Sequence, residues 1–281
     1  MAPRSQDQYG VGKDMILAID AGNTYIVFGT LDREQICNSW RISTERFKTA
    51  DEYSVLMDGL LRRTGTPADS LEGCILSCVV PSLKRTLADA AEIITGKSCL
   101  IVGPGLKNGL RIRIDDPAQL GSDQVAAAVA ATEEYSLPMM IFDMSTATTV
   151  SVIDAKGAYL GGMIMPGVQL GMEALALKTS QLPQISLSEK PSRLIGTNTI
   201  ACMESGCIYG SASTIDGIID RVREELGTAL CVVATGDSAE WIVPFCRHDI
   251  QYDKDLLLKG LRSIYYRNAK TRVRPKTRNV P

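Results

Sequence analysis

The 281-residue chain has a single histidine, His248, and no Cys-x-x-Cys pair among its eight cysteines. One histidine with scattered cysteines cannot supply the ligands of a zinc site, and His248, following Arg247 in a polar segment, is read as a surface residue. Most cysteines stand in apolar runs such as CILSCVV (74–80), so they are expected as reduced thiols in the core. No apolar run approaches the roughly 18–20 residues of a membrane span; residues 125–131 are a far shorter stretch. The opening residues, MAPRSQDQYGVGKD, lack an apolar core and read as an extension rather than a signal peptide. Familiar phosphate devices are missing too. There is no Gly-x-x-x-x-Gly-Lys-Ser/Thr loop, no Gly-x-Gly-x-x-Gly opening a helix and no kinase catalytic loop. A net charge of −2 argues against nucleic acid as the main partner. With 45% hydrophobic and 22% charged residues, collagen-like, coiled-coil and wholly disordered chains are excluded. The expectation is a cytoplasmic globular protein, long enough for two domains.

Apolar strands alternate with amphipathic helices. Residues 16–20, ILAID, open the first strand, and Thr49-Ala-Asp-Glu52 forms a capping box before a helix with Tyr53, Leu56, Met57, Leu60 and Leu61 on one face. CILSCVV reads as a buried strand, with helices expected over 82–94 and from Ser122 to about Tyr135. Such alternation indicates α/β with a largely parallel sheet core. An internal echo accompanies it. An apolar strand runs into Asp20-Ala-Gly-Asn-Thr24 and returns as YIVFGTLD; another runs into Asp143-Met-Ser-Thr-Ala-Thr-Thr149 and returns as VSVID. Two similar domains are therefore expected, 15–137 and 138–268, after an extension over 1–14 and before a basic disordered tail over 269–281. Residues 267–281 carry six basic side chains and no acid.

Each of the two turns places a carboxylate at a strand end, followed by small residues that let backbone N–H groups approach phosphate oxygens. Carboxylate and phosphate coexist only with a cation between them. Either turn alone is also an ordinary β-turn. Ala234-Thr-Gly-Asp237 follows a strand and precedes a short helix, a ligand position in α/β sheets and equally a plain connection. In Gly121-Ser-Asp123-Gln, Ser122 is the expected N-cap. Asp123 either stabilises the helix start or, with histidine so scarce, serves as general base.

An ordered motif series covers residues 15–268. It begins with Asp20-Ala-Gly-Asn-Thr24, Arg41 with Thr44, Thr49-x-Asp-Glu-Tyr53 and Ser77-Cys-Val-Val-Pro81. Next come Val102-Gly-Pro-Gly-Leu-Lys-Asn-Gly109, Gly121-x-Asp123 and Asp143-x-x-Thr-Ala-Thr-Thr149. Gly161-Gly-x-Ile-x-Pro-Gly167, Gly196-x-Asn-Thr199, Ser205-Gly and Gly260-Leu complete it. The series resembles the type III pantothenate kinases, within the superfamily of acetate and sugar kinases, heat-shock ATPases and actin. The resemblance implies two ribonuclease-H-like, actin-like ATPase domains, each a mixed sheet with flanking helices, and a ligand cleft between them. It implies ATP-dependent phosphorylation of pantothenate, the first step of coenzyme A synthesis, by a homodimer. ATP phosphates would lie on Asp20, Ala21, Gly22, Asn23, Thr24, Tyr25, Ile26 and Val27, with Thr146 also on ATP. Asp143 would hold a monovalent cation, K⁺ or NH₄⁺, used beside Mg²⁺. Asp123 would be the base, with Gly121, Ser122, Asp123, Gln124 and Thr199 lining the pantothenate pocket.

The chain departs from the family pattern at four places: Gln124 stands for an arginine, Ile114 for a frequent tyrosine, and Ser145 and Asp237 for glycines. An amide cannot match a guanidinium's bidentate grip on a carboxylate. These departures keep two alternatives open: a catalytically weak binding or regulatory relative, and a kinase of the same fold for another small hydroxylated substrate.

Overall fold

The computed structural model describes residues 15–186 and 193–272. The chain first forms β1 (Met15–Ala21), β2 (Tyr25–Leu31), β3 (Ile36–Ser43), α1 (Ala50–Arg63), β4 (Leu71–Cys78), α2 (Lys84–Thr95) and β5 (Leu100–Ile101). It continues through β6 (Arg111–Ile112), α3 (Ser122–Glu134), β7 (Met139–Met144), β8 (Ala147–Ile153), β9 (Ala158–Pro166) and α4 (Val168–Lys178). The last elements are α5 (Thr199–Leu226), β10 (Cys231–Thr235), α6 (Ala239–Ile242), β11 (Gln251–Tyr252) and α7 (Leu256–Arg272).

Two compact units result. Among the described residues, the first joins 15–108 with 121–126 and 257–272, and the second joins 109–120 with 127–186 and 193–256. The first sheet has the order β3-β2-β1-β4-β5, and the second β11-β10-β7-β8-β9-β6. Read from its other end, the second repeats the first, with β6 added beside β9. In both, an antiparallel three-strand meander continues into parallel strands. The echo seen in the sequence is thus a repeated sheet.

Each sheet buries a core. In the first, Leu17, Ile19 and Ala21 recur at the two-residue period of a strand and pack with Phe28, Tyr53, Met57 and Leu87. In the second, Phe142, Val150 and Val232 pack with Ile208, Ile215 and Ile219 of α5. The capping box of α1 is present in both directions, Thr49 accepting from Glu52 N and Glu52 from Thr49 N. Its buried face is Tyr53, Met57 and Leu61, while Leu56 is exposed.

The structure corrects several expectations. Among the eight free thiols, Cys74 is in the core, Cys202 is exposed, and six are half-buried. His248 is no open surface group: its ring lies 2.8 Å from Asp220 Oδ1, with Arg223 Nη1 3.0 Å from Nδ1. α7 runs to Arg272, so 269–272 are helical; 1–14 and 273–281 lie outside the described residues. No helix among the described residues is long and apolar enough to cross a membrane.

Candidate active site

In the first unit, Asp20 occupies the end of β1, paired with Val27 across the hairpin and with Ser77 on parallel β4. Hydrogen bonds hold the turn beyond it. Gly22 N donates to Tyr25 O at 3.0 Å, Thr44 Oγ1 donates to Gly22 O at 2.8 Å, and Thr44 N donates to Thr24 O at 3.0 Å. The Arg41 guanidinium sits 4.5 Å from the Tyr25 ring centroid, a cation–π contact. Ala21 and Ile26 bury their side chains, so their backbone is what a ligand could meet; Asn23, Thr24 and Tyr25 are exposed. Burial pushes the Cys78 thiol up, and the nearby negative charge of Asp20 adds to it.

The start of α3 is tied to the same strand ends. Ser122 is the first helical residue, and its hydroxyl does not cap α3. It lies 3.0 Å from Ser77 Oγ and accepts from Cys78 N at 3.1 Å. A β4 end with a donor N–H to satisfy outcompetes the helix for that hydroxyl. Asp20, Ser77, Ser122 and Asp123 are thereby gathered at one edge of the first unit.

Asp123 Oδ1 accepts from Gln124 N at 2.8 Å. A side chain at Gly121 would place its Cβ 2.3 Å from that same Oδ1, so the carboxylate would have to move from this position. Burial pushes the Asp123 carboxyl above its ordinary value, more than the Gln124 N–H lowers it. Gln124 Oε1 faces the Gly121 N–H at 3.4 Å, a long contact turned back on the helix start.

The second unit repeats the device at the end of β7. Asp143 is buried and pairs with Thr149 on β8 and Thr235 on parallel β10. Ser145 Oγ donates to its Oδ1 at 2.5 Å, so the residue standing for a glycine holds the carboxylate. This turn is one residue shorter than the first, because Asp143 pairs six residues on and Asp20 seven. Gly236 has φ +91°, and a Cβ there would lie 2.7 Å from Asp143 Oδ1. Ser238 N donates to Met144 O at 2.9 Å, joining the two turns, while Asp237 is exposed. Thr146 O accepts from Gly167 N at 3.2 Å, just before α4. Thr199 is the first residue of α5, capped by Asn198, whose Oδ1 accepts from Ala201 N. It borders a cavity of about 980 Å³ within the second unit, lined by Met144, Gly167, Val168 and Met203 among others.

Among the described residues no group of three or more His, Cys, Asp or Glu could hold a metal ion. Both strand-end acids offer hard oxygen ligands, suited to Mg²⁺ or K⁺ rather than to softer metals.

The family profile described as type III pantothenate kinase matches residues 16–221. The chain is 40% identical over 255 residues to the type III pantothenate kinase of Moorella thermoacetica, covering 91% of this chain and 100% of that protein. To that of Exiguobacterium sp. it is 42% identical over 256 residues, again covering 91% and 100%. Among solved structures it resembles component A of (R)-2-hydroxyglutaryl-CoA dehydratase from Acidaminococcus fermentans, with a TM-score of 0.56 and 15% identity, covering 92% and 99%. The last likeness concerns the fold alone, which is actin-like.

Proposed function

This chain belongs to the type III pantothenate kinase family, and from that premise we propose that it transfers the γ-phosphate of ATP to the terminal hydroxyl of pantothenate. The reading is supported most directly by one arrangement: a partly buried carboxylate, Asp123, at a helix start that Ser122 ties to the end of β4, the strand that pairs with Asp20 of the phosphate turn. Proton removal and phosphate positioning are the two tasks of direct phosphoryl transfer. A base with a raised pKa is better matched to a hydroxyl proton at neutral pH than an ordinary aspartate.

The residues take these roles. The backbone of the Asp20–Val27 hairpin turn receives phosphate oxygens, helped by the exposed Asn23 and Thr24. Asp123 accepts the proton of the attacking hydroxyl, and Gly121, Ser122 and Gln124 line the acceptor's place in the first unit; Thr199 remains a pantothenate contact of the second. Asp143 would hold a monovalent cation, and Thr146 contacts ATP. Mg²⁺ and that cation would offset phosphate charge when bound. The family's reaction runs on soluble metabolites, and eight free thiols suit a reducing compartment, so we place the protein in the cytoplasm.

A homodimer completes the proposal. Ile164, Leu177 and Ile195 of the second unit are 76%, 79% and 79% exposed, an apolar load that a second copy would cover.

The deciding experiment is turnover of pantothenate by the purified protein with ATP, Mg²⁺ and K⁺ or NH₄⁺. Formation of 4′-phosphopantothenate is expected. ATP binding without that product would overturn the assignment and turn the search to other hydroxylated acceptors.

A further inference from the structure

The segment between β3 and α1 is held at both ends and exposed in its middle. Thr44 grips the phosphate turn through Gly22 O and Thr24 O. The buried Tyr53 hydroxyl donates to Glu45 O at 2.8 Å and accepts from Glu45 N at 3.0 Å. Lys48 N donates to Glu45 O at 3.3 Å, and the Thr49 capping box begins α1. Between these anchors stands Arg46-Phe47-Lys48, with Phe47 99% exposed. The anchors fix the loop backbone, and none of those bonds involves the three side chains.

Arg46 points at the turn: its Nη2 lies 3.5 Å from Asn23 Oδ1, and both side chains are exposed. A bond that long is weak and readily exchanged for a better acceptor. A guanidinium prefers phosphate oxygens, which it meets with charge-assisted, often bidentate bonds. The same turn carries Asp20, whose charge opposes a polyphosphate. Arg41 is already stacked on Tyr25.

Resting on the kinase reading above, we propose that Arg46 binds the polyphosphate of the nucleoside triphosphate on the first turn, exchanging its Asn23 contact for phosphate oxygen. The first unit thus supplies a side-chain cation to a site that otherwise uses backbone N–H groups and small side chains.

The test compares wild type with Arg46→Gln and Arg46→Lys. One arm measures the KM for ATP and for pantothenate. The other titrates inorganic tripolyphosphate, which carries the charge without the nucleoside, by calorimetry. Arg46→Gln is expected to raise the ATP KM and the tripolyphosphate Kd about 10-fold, the loss of one charge-assisted bond. The pantothenate KM and the melting temperature stay where they were, and Arg46→Lys recovers part of the loss. Unchanged tripolyphosphate affinity in Arg46→Gln, or no binding by wild type, overturns the proposal. Failure of wild type to phosphorylate pantothenate strikes the kinase reading instead, and the tripolyphosphate arm still decides on Arg46.

Discussion

At Asp123, burial and a neighbouring N–H act on one carboxyl in opposite directions, and burial is the larger effect. An acid whose pKa is higher folded than unfolded binds protons more tightly in the native state. Stability therefore falls as pH rises from its unfolded value toward the folded one, and above that window the ionised carboxylate is a fixed penalty. Asp123→Asn removes the penalty and the base together. The variant is expected to lose about 10²- to 10⁴-fold in kcat, while its melting temperature at neutral pH equals or exceeds wild type. Turnover and thermal melts on one preparation check both; a variant with wild-type kcat would remove Asp123 as base. In wild type, kcat should decline as acid protonates Asp123, at a pH above that of an ordinary aspartate. The Gln124 contact with Gly121 N makes a second residue-scale expectation. Gln124→Arg should tighten pantothenate binding, read as a lower KM, if the pocket keeps the family's shape.

Among the elements, α1 and the strand-end turns are where local chemistry is most exposed to test. Thr49→Ala removes the hydroxyl half of a capping box whose helix carries Tyr53, the anchor of the Arg46 loop, and leaves the Thr49 N–H bond to Glu52. A loss of about 1 kcal/mol is expected, seen as a lower urea midpoint with an unchanged slope. Gly236→Ala is a harsher change. Its φ of +91° disfavours any side chain, and the new Cβ would press on Met144 backbone and Asp143 Oδ1. The expectation is weaker activation by K⁺ or NH₄⁺ together with a lower melting temperature. A variant indistinguishable from wild type in both would show that Asp143 is not held by that turn.

For the molecule as a whole, the apolar residues Ile164 and Leu177 predict self-association through the second unit. Light scattering on wild type should give twice the 30.4 kDa chain mass, and the double change to glutamate should give the chain mass. A monomeric wild type would sink the homodimer. Much of this architecture was legible in the linear chain. The repeated strand-Asp-turn-strand pattern and the Thr49 box are local devices, and each reads the same in sequence as in space. β3 went unread because its residues alternate between half-buried and exposed rather than forming an apolar run. α5 went unread because Gly206, Gly210 and Gly217 interrupt its pattern, and packing against the second sheet overrides that propensity. Of the site, residue types and spacing pointed to Asp20, Asp123 and Asp143. Their order along the chain, the small residues after them and the near absence of histidine are facts of sequence. Only the tertiary structure could show that the Ser122 hydroxyl serves β4 rather than α3, that Ser145 holds Asp143, and that Arg46 reaches Asn23. The Ser122 and Arg46 contacts join residues far apart in the chain, and the Ser145 contact joins neighbours whose side chains meet only in the folded turn. Which partner a donor or acceptor takes depends on which groups burial leaves beside it.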